Sequence, residues 1–341
     1  MTDLQPHTVR VLDVGETPPG SVRAHWLHII NNGLGEPVRV PILVARGKHD
    51  GPVLGLTAAL HGNELNGIPI IQRVIADLDL EVLRGTVVGV LAANVPGVLR
   101  GERSFNDGVD LNHIAPGKPN GNNSQVYVHR LVDRVLKQFD FLIDLHTASF
   151  GRVNSYYVRA DMNHAVTARL ARLQMPDIIV HNPPSDYTLR GCAAGLGIPA
   201  VTCELRDPNV FQPGVIDTGT LGVLNVLYDL DMLEGEVVCP ITDTVLCQGS
   251  FWMYTDEGGL LTVKPKVTAY VTEGEIVATV RDIFGRVTKT YTAPEDAIVV
   301  GRSVNPINQT GSRIVHLGRS PRTIPCITAD EPRAATTRTT P

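Results

Sequence analysis

The sequence predicts an α/β fold, with a largely parallel or mixed sheet covered by helices on both faces and a small all-β segment after it. Three observations carry this. Between about residues 50 and 235, apolar runs with β-branched residues alternate with segments of helical periodicity. The runs are apolar throughout rather than alternating, as strands buried on both faces are. Near Gly235 the texture changes to short strands separated by Gly and Pro turns, with no convincing helix.

Along the chain, the stretch 7–48 is an N-terminal β segment. "PVLGLTAAL" (52–60) and "TVVGVLAAN" (86–94) follow as buried strands, separated by the helical pattern of "GIPIIQRVIADLD" (67–79). "SQVYVHRLVDRVLKQF" (124–139) has apolar residues at helical spacing and leads into the strand "FDFLIDLH" (139–146). "NHAVTARLARLQ" (163–174) is the next helix, and "DIIVHN" (177–182) and "PAVTCEL" (199–205) are further strands. Residues 1–237 are therefore assigned to one domain and 238–319 to an all-β domain. The tail 320–341, rich in Thr, Pro and Arg, is expected to be disordered.

Bulk properties exclude several classes. The 341 residues suggest two domains, and an apolar fraction of 43% is ample for their cores. Charged residues make up 19% and the net charge is −5, so no basic face is available for a nucleic-acid backbone. No signal-peptide run opens the chain, and no segment reaches the roughly 18 apolar residues of a membrane helix, so a soluble cytoplasmic protein is expected. Cys192, Cys203, Cys239, Cys247 and Cys326 are odd in number and lack CxxC spacing. They are expected to be small buried or incidental thiols, neither disulfide framework nor zinc site.

Ligands of open α/β sheets bind outside the carboxyl ends of the strands. Three predicted strands end there on side chains that handle metals or protons: His61 and Glu64 in "LHGNELNG", His146 in "LIDLHTAS", and Glu204 in "AVTCELRD". His61, Glu64 and the distant His146 make the His₂Glu set of catalytic zinc. Glu204 is then the separate carboxylate that such a site needs to move a proton. Each piece alone is weak. HxxE is common by chance, a His beside a strand is often an ordinary hydrogen-bonded residue, and Asp144 with His146 could be a satisfied local network.

Taken in order, "HGNE", "RGERSFNDGVDLNH", "DLHTAS" and "TCEL" resemble the succinylglutamate desuccinylase/aspartoacylase branch of the zinc carboxypeptidase superfamily, over roughly residues 20–320. The resemblance implies a carboxypeptidase-like α/β/α sandwich and a zinc-dependent amide hydrolase with one Zn²⁺ per chain. It makes His61, Glu64 and His146 the zinc ligands and Glu204 the general acid/base. Arg103 would stabilise the oxyanion, and Asn112 would position a substrate carboxylate. The β segment resembles a biotinyl/lipoyl-like barrel without a carrier lysine, and is expected to act as a partial lid.

Two departures bear on the substrate. The family commonly has "DLNR", but this chain reads "DLNH", and the imidazole of His113 cannot reproduce the bidentate fork of an arginine. "ELRD" stands where "ELG" is common, which places Arg206 near the mouth of the site; Arg206 or Arg190 could supply the missing positive charge. Tyr254 is a candidate for the family's phenol in the cleft, with a buried core tyrosine as the alternative.

The function expected from this is deacylation of an N-acylated amino acid or related small amide. One alternative is trimming of acidic residues from peptides or proteins, and another is a non-catalytic binding module. The expected partner is a small N-acyl amino acid or short acidic peptide, with no nucleic acid or membrane involved; an oligomer is compatible with the sequence.

Overall fold

In the computed structural model, the described residues are 5–184, 187–327 and 331. The N-terminal segment forms β1 (His7–Val9), β2 (Ser21–Asn31) and β3 (Pro37–Arg46). The α/β alternation then runs β4 (His49–Ala58), α1 (Gly67–Asp77), β5 (Arg84–Val90), α2 (Val95–Arg100), α3 (Asn123–Arg134) and β6 (Phe141–His146). A short strand β7 (Arg152–Asn154) precedes β8 (Tyr156–Ala160), α4 (Ala165–Leu173) and β9 (Ile178–His181). The alternation closes with α5 (Leu189–Gly195), β10 (Ala200–Leu205) and α6 (Pro213–Asp229).

Except for β7, which pairs with a strand of the C-terminal segment, these strands form one mixed sheet with β5, β4, β6 and β10 side by side and parallel at its centre. Every residue of β6 is buried, as a strand covered on both faces must be. Helices α1, α4 and α6 pack one face and α3 and α5 the other, which is the α/β/α sandwich expected from the sequence. In α3 the buried residues Tyr127, Val128, Leu131 and Val132 trace one helical stripe. Its start is fixed by a capping box between Asn122 and Gln125.

The sequence reading missed α6, and its composition explains why. Three glycines and several β-branched residues lower its helix propensity, and tertiary packing overrides that. Gly219 is needed for the packing, since a Cβ there would lie 2.5 Å from Ile70 Cδ1 of α1.

The C-terminal segment holds β11 (Asp243–Cys247), β12 (Gly249–Tyr254), β13 (Gly259–Val263), β14 (Tyr270–Val271), β15 (Ile276–Arg281) and β16 (Val287–Thr292). It ends with β17 (Ala297–Ser303), β18 (Ile307–Asn308), β19 (Arg313–Arg319) and β20 (Arg322–Pro325). From β12 to β19 these make two antiparallel sheets around a separate apolar core. β11 instead lies parallel to β9 in the main sheet, and β20 pairs with β11 at its edge.

The start of the expected disordered tail is thus an ordered edge strand, and buried Ile327 follows it. Pairing with β11 and burial of Ile327 outweigh the polar composition of the segment; residues 328–330 and 332–341 lie outside the described set. The expectation of free thiols is corrected for Cys239 and Cys326, which form a disulfide between the linker before β11 and the residue after β20. Pairing across 87 residues depends on how β11 and β20 dock, which local spacing does not reveal. Cys192, Cys203 and Cys247 are free.

Candidate active site

The parallel centre of the sheet sends three carboxyl ends to one point. β4 stops at Ala58, and Ala59 takes a left-handed φ of 51°, a conformation that costs a non-glycine residue about 1–3 kcal/mol. The chain then leaves the sheet and lays His61 and Glu64 beside the end of β6. Gly62 is obligatory in this turn, because a Cβ would come within 1.9 Å of the Gly97 carbonyl carbon in α2. His146 ends β6, and Glu204 of β10 is its direct partner in the parallel register.

His61, Glu64 and His146 converge and are buried. The two Nδ1 atoms lie 3.1 Å apart. Glu64 Oε1 is 2.8 Å from the first, and its Oε2 is 2.8 Å from the second. The outer ring nitrogens meet carboxylates, His61 Nε2 at 3.0 Å from Asp110 and His146 Nε2 at 2.9 Å from Asp144. Thr57 donates to the other Asp144 oxygen. A carboxylate on each outer nitrogen holds the proton there and turns the Nδ1 lone pair inward, an arrangement characteristic of metal-binding histidines.

The electrostatics tie these side chains to one another. Burial disfavours the Glu64 anion, but His61 and His146 hold its carboxyl well below the usual range. Burial likewise works against His146, and Asp144 and Glu64 push it well above its ordinary value. Two imidazole nitrogens and one carboxylate suit zinc, so the donor set fits the metal implied by the sequence.

These residues floor a cleft of about 270 Å³ that also receives Arg103, Asn112, His113, Arg190 and Glu204. Burial pushes the Glu204 carboxyl up, against the pull of Arg159 and with the help of Glu64. Asn154 Nδ2 donates to Glu204 at 3.2 Å. Arg103 is clamped between two acids: Nη1 donates to Glu64 at 3.0 Å and Nε donates to Asp110 at 2.9 Å. Asn112 Oδ1 accepts the Leu189 N–H at 2.8 Å, which leaves its amide NH₂ as the end available to a ligand. Arg190 is buried and binds both the backbone and side-chain oxygens of Asn182. His113 is exposed.

Two sequence candidates fall elsewhere. Tyr254 is 52% exposed and does not line the cleft; Trp252 of the same strand does. Strand alternation alone would put both on one face, but a register shift between them breaks the alternation. Arg206 leaves the strand geometry with φ 62°, approaches Asp177 at 3.6 Å and lines a different pocket.

The sequence reading also missed residues that complete the cleft. Ser149 donates to Glu64 Oε1 at 2.8 Å, and the Thr147 N–H donates to Oε2. Asp110 lies two residues before Asn112, and its place in "DGVDLNH" was the available signal. Arg152, Trp252 and Arg313 come from β7, β12 and β19, and no local pattern links them.

The sequence pattern of the succinylglutamate desuccinylase/aspartoacylase catalytic domain matches residues 50–230. The N-alpha-acetyl-L-2,4-diaminobutyric acid deacetylase of Halomonas elongata is 24% identical over 280 residues, covering 78% of this chain and 81% of that protein. The ectoine utilization protein EutE (DoeB) of Ruegeria pomeroyi, in its product-bound structure, superposes with a TM-score of 0.80 at 21% identity, covering 89% of this chain and 97% of that one. A succinylglutamate desuccinylase/aspartoacylase of Rhodobacter sphaeroides gives 0.81 at 22% identity, covering 91% and 99%. With its pattern matched over more than half its length, around the cleft just described, the chain belongs to the succinylglutamate desuccinylase/aspartoacylase family.

Proposed function

We propose that this chain is a zinc-dependent hydrolase that cleaves the amide bond of an N-acylated amino acid or a related small amide. The observation that carries the reading is the convergence of two inward-facing Nδ1 atoms and one carboxylate, with a second, partly buried carboxyl, Glu204, on the same cleft. The family membership and the deacetylase relative support the same class of reaction.

His61, Glu64 and His146 would hold the metal, and Asp110 and Asp144 would orient the two rings. Zinc, when bound, supplies a Lewis acid that lowers the pKa of a bound water toward roughly 7 and polarises a carbonyl oxygen. Glu204 takes the proton of the attacking water on a carboxylate oxygen and returns it to the leaving nitrogen. A raised carboxyl pKa suits a group that must both accept and give back a proton. Arg103 stabilises the negative charge that develops on the carbonyl oxygen. Its Nε and Nη1 are held by Asp110, Glu64 and Ser149, so the guanidinium is fixed before the substrate arrives. Asn112 and Arg190 position a substrate carboxylate from the α5 side of the cleft.

The size of the cleft and the presence of Trp252 and Arg313 in its wall favour a small substrate over the end of a polypeptide. Glu204→Gln tests the reading. The variant is expected to keep its zinc, measured by elemental analysis, and to lose at least about a hundredfold in turnover of N-acyl amino acids, the usual size of acid/base effects. Near-normal turnover in that variant would overturn the assignment.

A further inference from the structure

Part of the cleft lining comes from the C-terminal β segment together with β7. Trp252 stacks on the buried ring of His316, with centroids 4.9 Å apart and planes at 9°. The guanidinium carbons of Arg313 and Arg152 lie 5.3 Å and 5.9 Å from the centroid of the same indole. An aromatic face attracts a guanidinium but does not neutralise it. Both arginines line the cleft, and among the described residues neither makes an ion pair.

The remaining cations of the cleft are committed differently. Arg103 is held by Glu64 and Asp110, Arg159 lies 3.8 Å from Glu204, and Arg190 binds Asn182. The two arginines on Trp252 therefore add positive charge to a wall where, among the described residues, no acid pairs with them. Arg313 also faces the catalytic floor: its pKa is pushed down first by burial and then by Arg103, with Asp110 pulling the other way.

We infer that Arg152 and Arg313, mounted on Trp252, form a carboxylate-binding subsite, so that the substrate carries a second anionic group directed at the β segment. This rests on the proposed amide hydrolysis and specifies its substrate class. Asn112 and Arg190 take one carboxylate from the α5 side, and Arg152 and Arg313 take another from the wall they line, with the scissile amide over the metal ligands between them. Guanidinium groups are the natural partners of carboxylates because two N–H donors match two oxygens. The same wall repels a cationic side chain, so N-acetyl-2,4-diaminobutyrate, which the Halomonas relative is named for, is a poor substrate here.

The test compares pairs that differ in one charge. N-acetylglutamate against N-acetylglutamine reports an anionic group on the amine half; N-succinylalanine against its succinamide analogue reports one on the acyl half. Each is measured with zinc-loaded wild type, Arg152→Gln, Arg313→Gln and the double variant. In the wild type, kcat/KM for the charged member of at least one pair is expected to exceed the neutral member by about 10- to 100-fold, the range of a hydrogen-bonded charge pair. The variants are expected to lose that preference mainly through KM, with zinc content unchanged and the charged member losing far more than the neutral one. Which pair responds identifies the half of the substrate that reaches the wall.

Equal rates within both pairs in the wild type, or an equal fall for charged and neutral members in the variants, would overturn the subsite. If the wild type hydrolyses none of these amides, the proposed reaction fails, and the subsite is judged by calorimetry with glutarate and with acetate. Tighter binding of glutarate that is lost in the double variant supports the subsite; indistinguishable binding by wild type and double variant rejects it.

Discussion

The floor and the Trp252 wall of the cleft are built on opposite terms. On the floor, nearly every polar atom has a partner: Glu64 receives donors from Thr147, Ser149 and Arg103, and His61 and His146 each have a carboxylate of their own. On the wall, two arginines share one indole, and among the described residues neither has an acid as an ion-pair partner. A fully connected network is rigid and fixes the geometry of the atoms it holds. A wall with uncompensated charge leaves the partner to the ligand. On the proposed reading, chemistry falls to the parallel strand ends and selectivity to the β segment together with β7.

The largest effect is expected from breaking the floor itself. Glu64→Gln keeps the shape of the side chain but places an NH₂ against one set of donors and removes the negative charge between the histidines. Metal affinity is expected to fall by more than about a hundredfold, beyond the range for an outer partner, and turnover is expected to fall with it. Asp144→Asn is a gentler break. It leaves all three ligands in place but weakens the hold on the His146 Nε2 proton, so metal affinity should drop about 10- to 100-fold. Competition with a chelator, followed by elemental analysis, measures both; undiminished affinity in Asp144→Asn would mean that ring orientation does not depend on that carboxylate.

The two regions also differ in how far they could be read from the sequence. His61, Glu64, His146 and Glu204 sit at or just beyond the ends of central strands whose apolar runs are unmistakable, and strand-end position is a local property. Asp144 was visible for the same reason, two residues before His146 on the same face of β6. Arg152, Trp252 and Arg313 are scattered over three short strands in separate parts of the chain, and only the pairing of β7 with β17 and of β12 with β19 brings them together. The same limit explains the misplaced Tyr254, which depended on a register shift, and the Cys239–Cys326 bond, which depended on how β20 meets β11. Helix α6 was obscured by its glycines, whose value lies in contacts with α1 and with Gln174 that no window along the chain contains.

A smaller effect separates the histidines of the two regions. His146 on the floor is pushed up by its carboxylates, whereas His316, beneath Trp252, is pushed well below its ordinary value, first by burial and then by Arg159 and Arg313. Nε2 of His316 meets Ser250 Oγ at 2.8 Å, its Nδ1 is buried without a partner, and Tyr157 packs edge-on against the ring. The folded wall therefore keeps this ring neutral. In the unfolded chain the ring titrates near the usual value of about 6.5. Above that pH both states hold it neutral and it contributes no pH dependence. As the pH falls below about 6.5 the unfolded state gains a proton that the folded state refuses, so stability declines toward the lowered folded pKa, by up to ~1.4 kcal/mol per pH unit for one proton. Denaturant titrations of the wild type and His316→Gln at pH 7.5 and 5.5 isolate this term from the carboxylates, which titrate in both proteins. The wild type should lose about 1 kcal/mol more than the variant across that interval. An equal loss in the two proteins would show that the ring beneath Trp252 accepts a proton in the folded state, and the wall would then carry a third positive charge at acid pH rather than two on a neutral support.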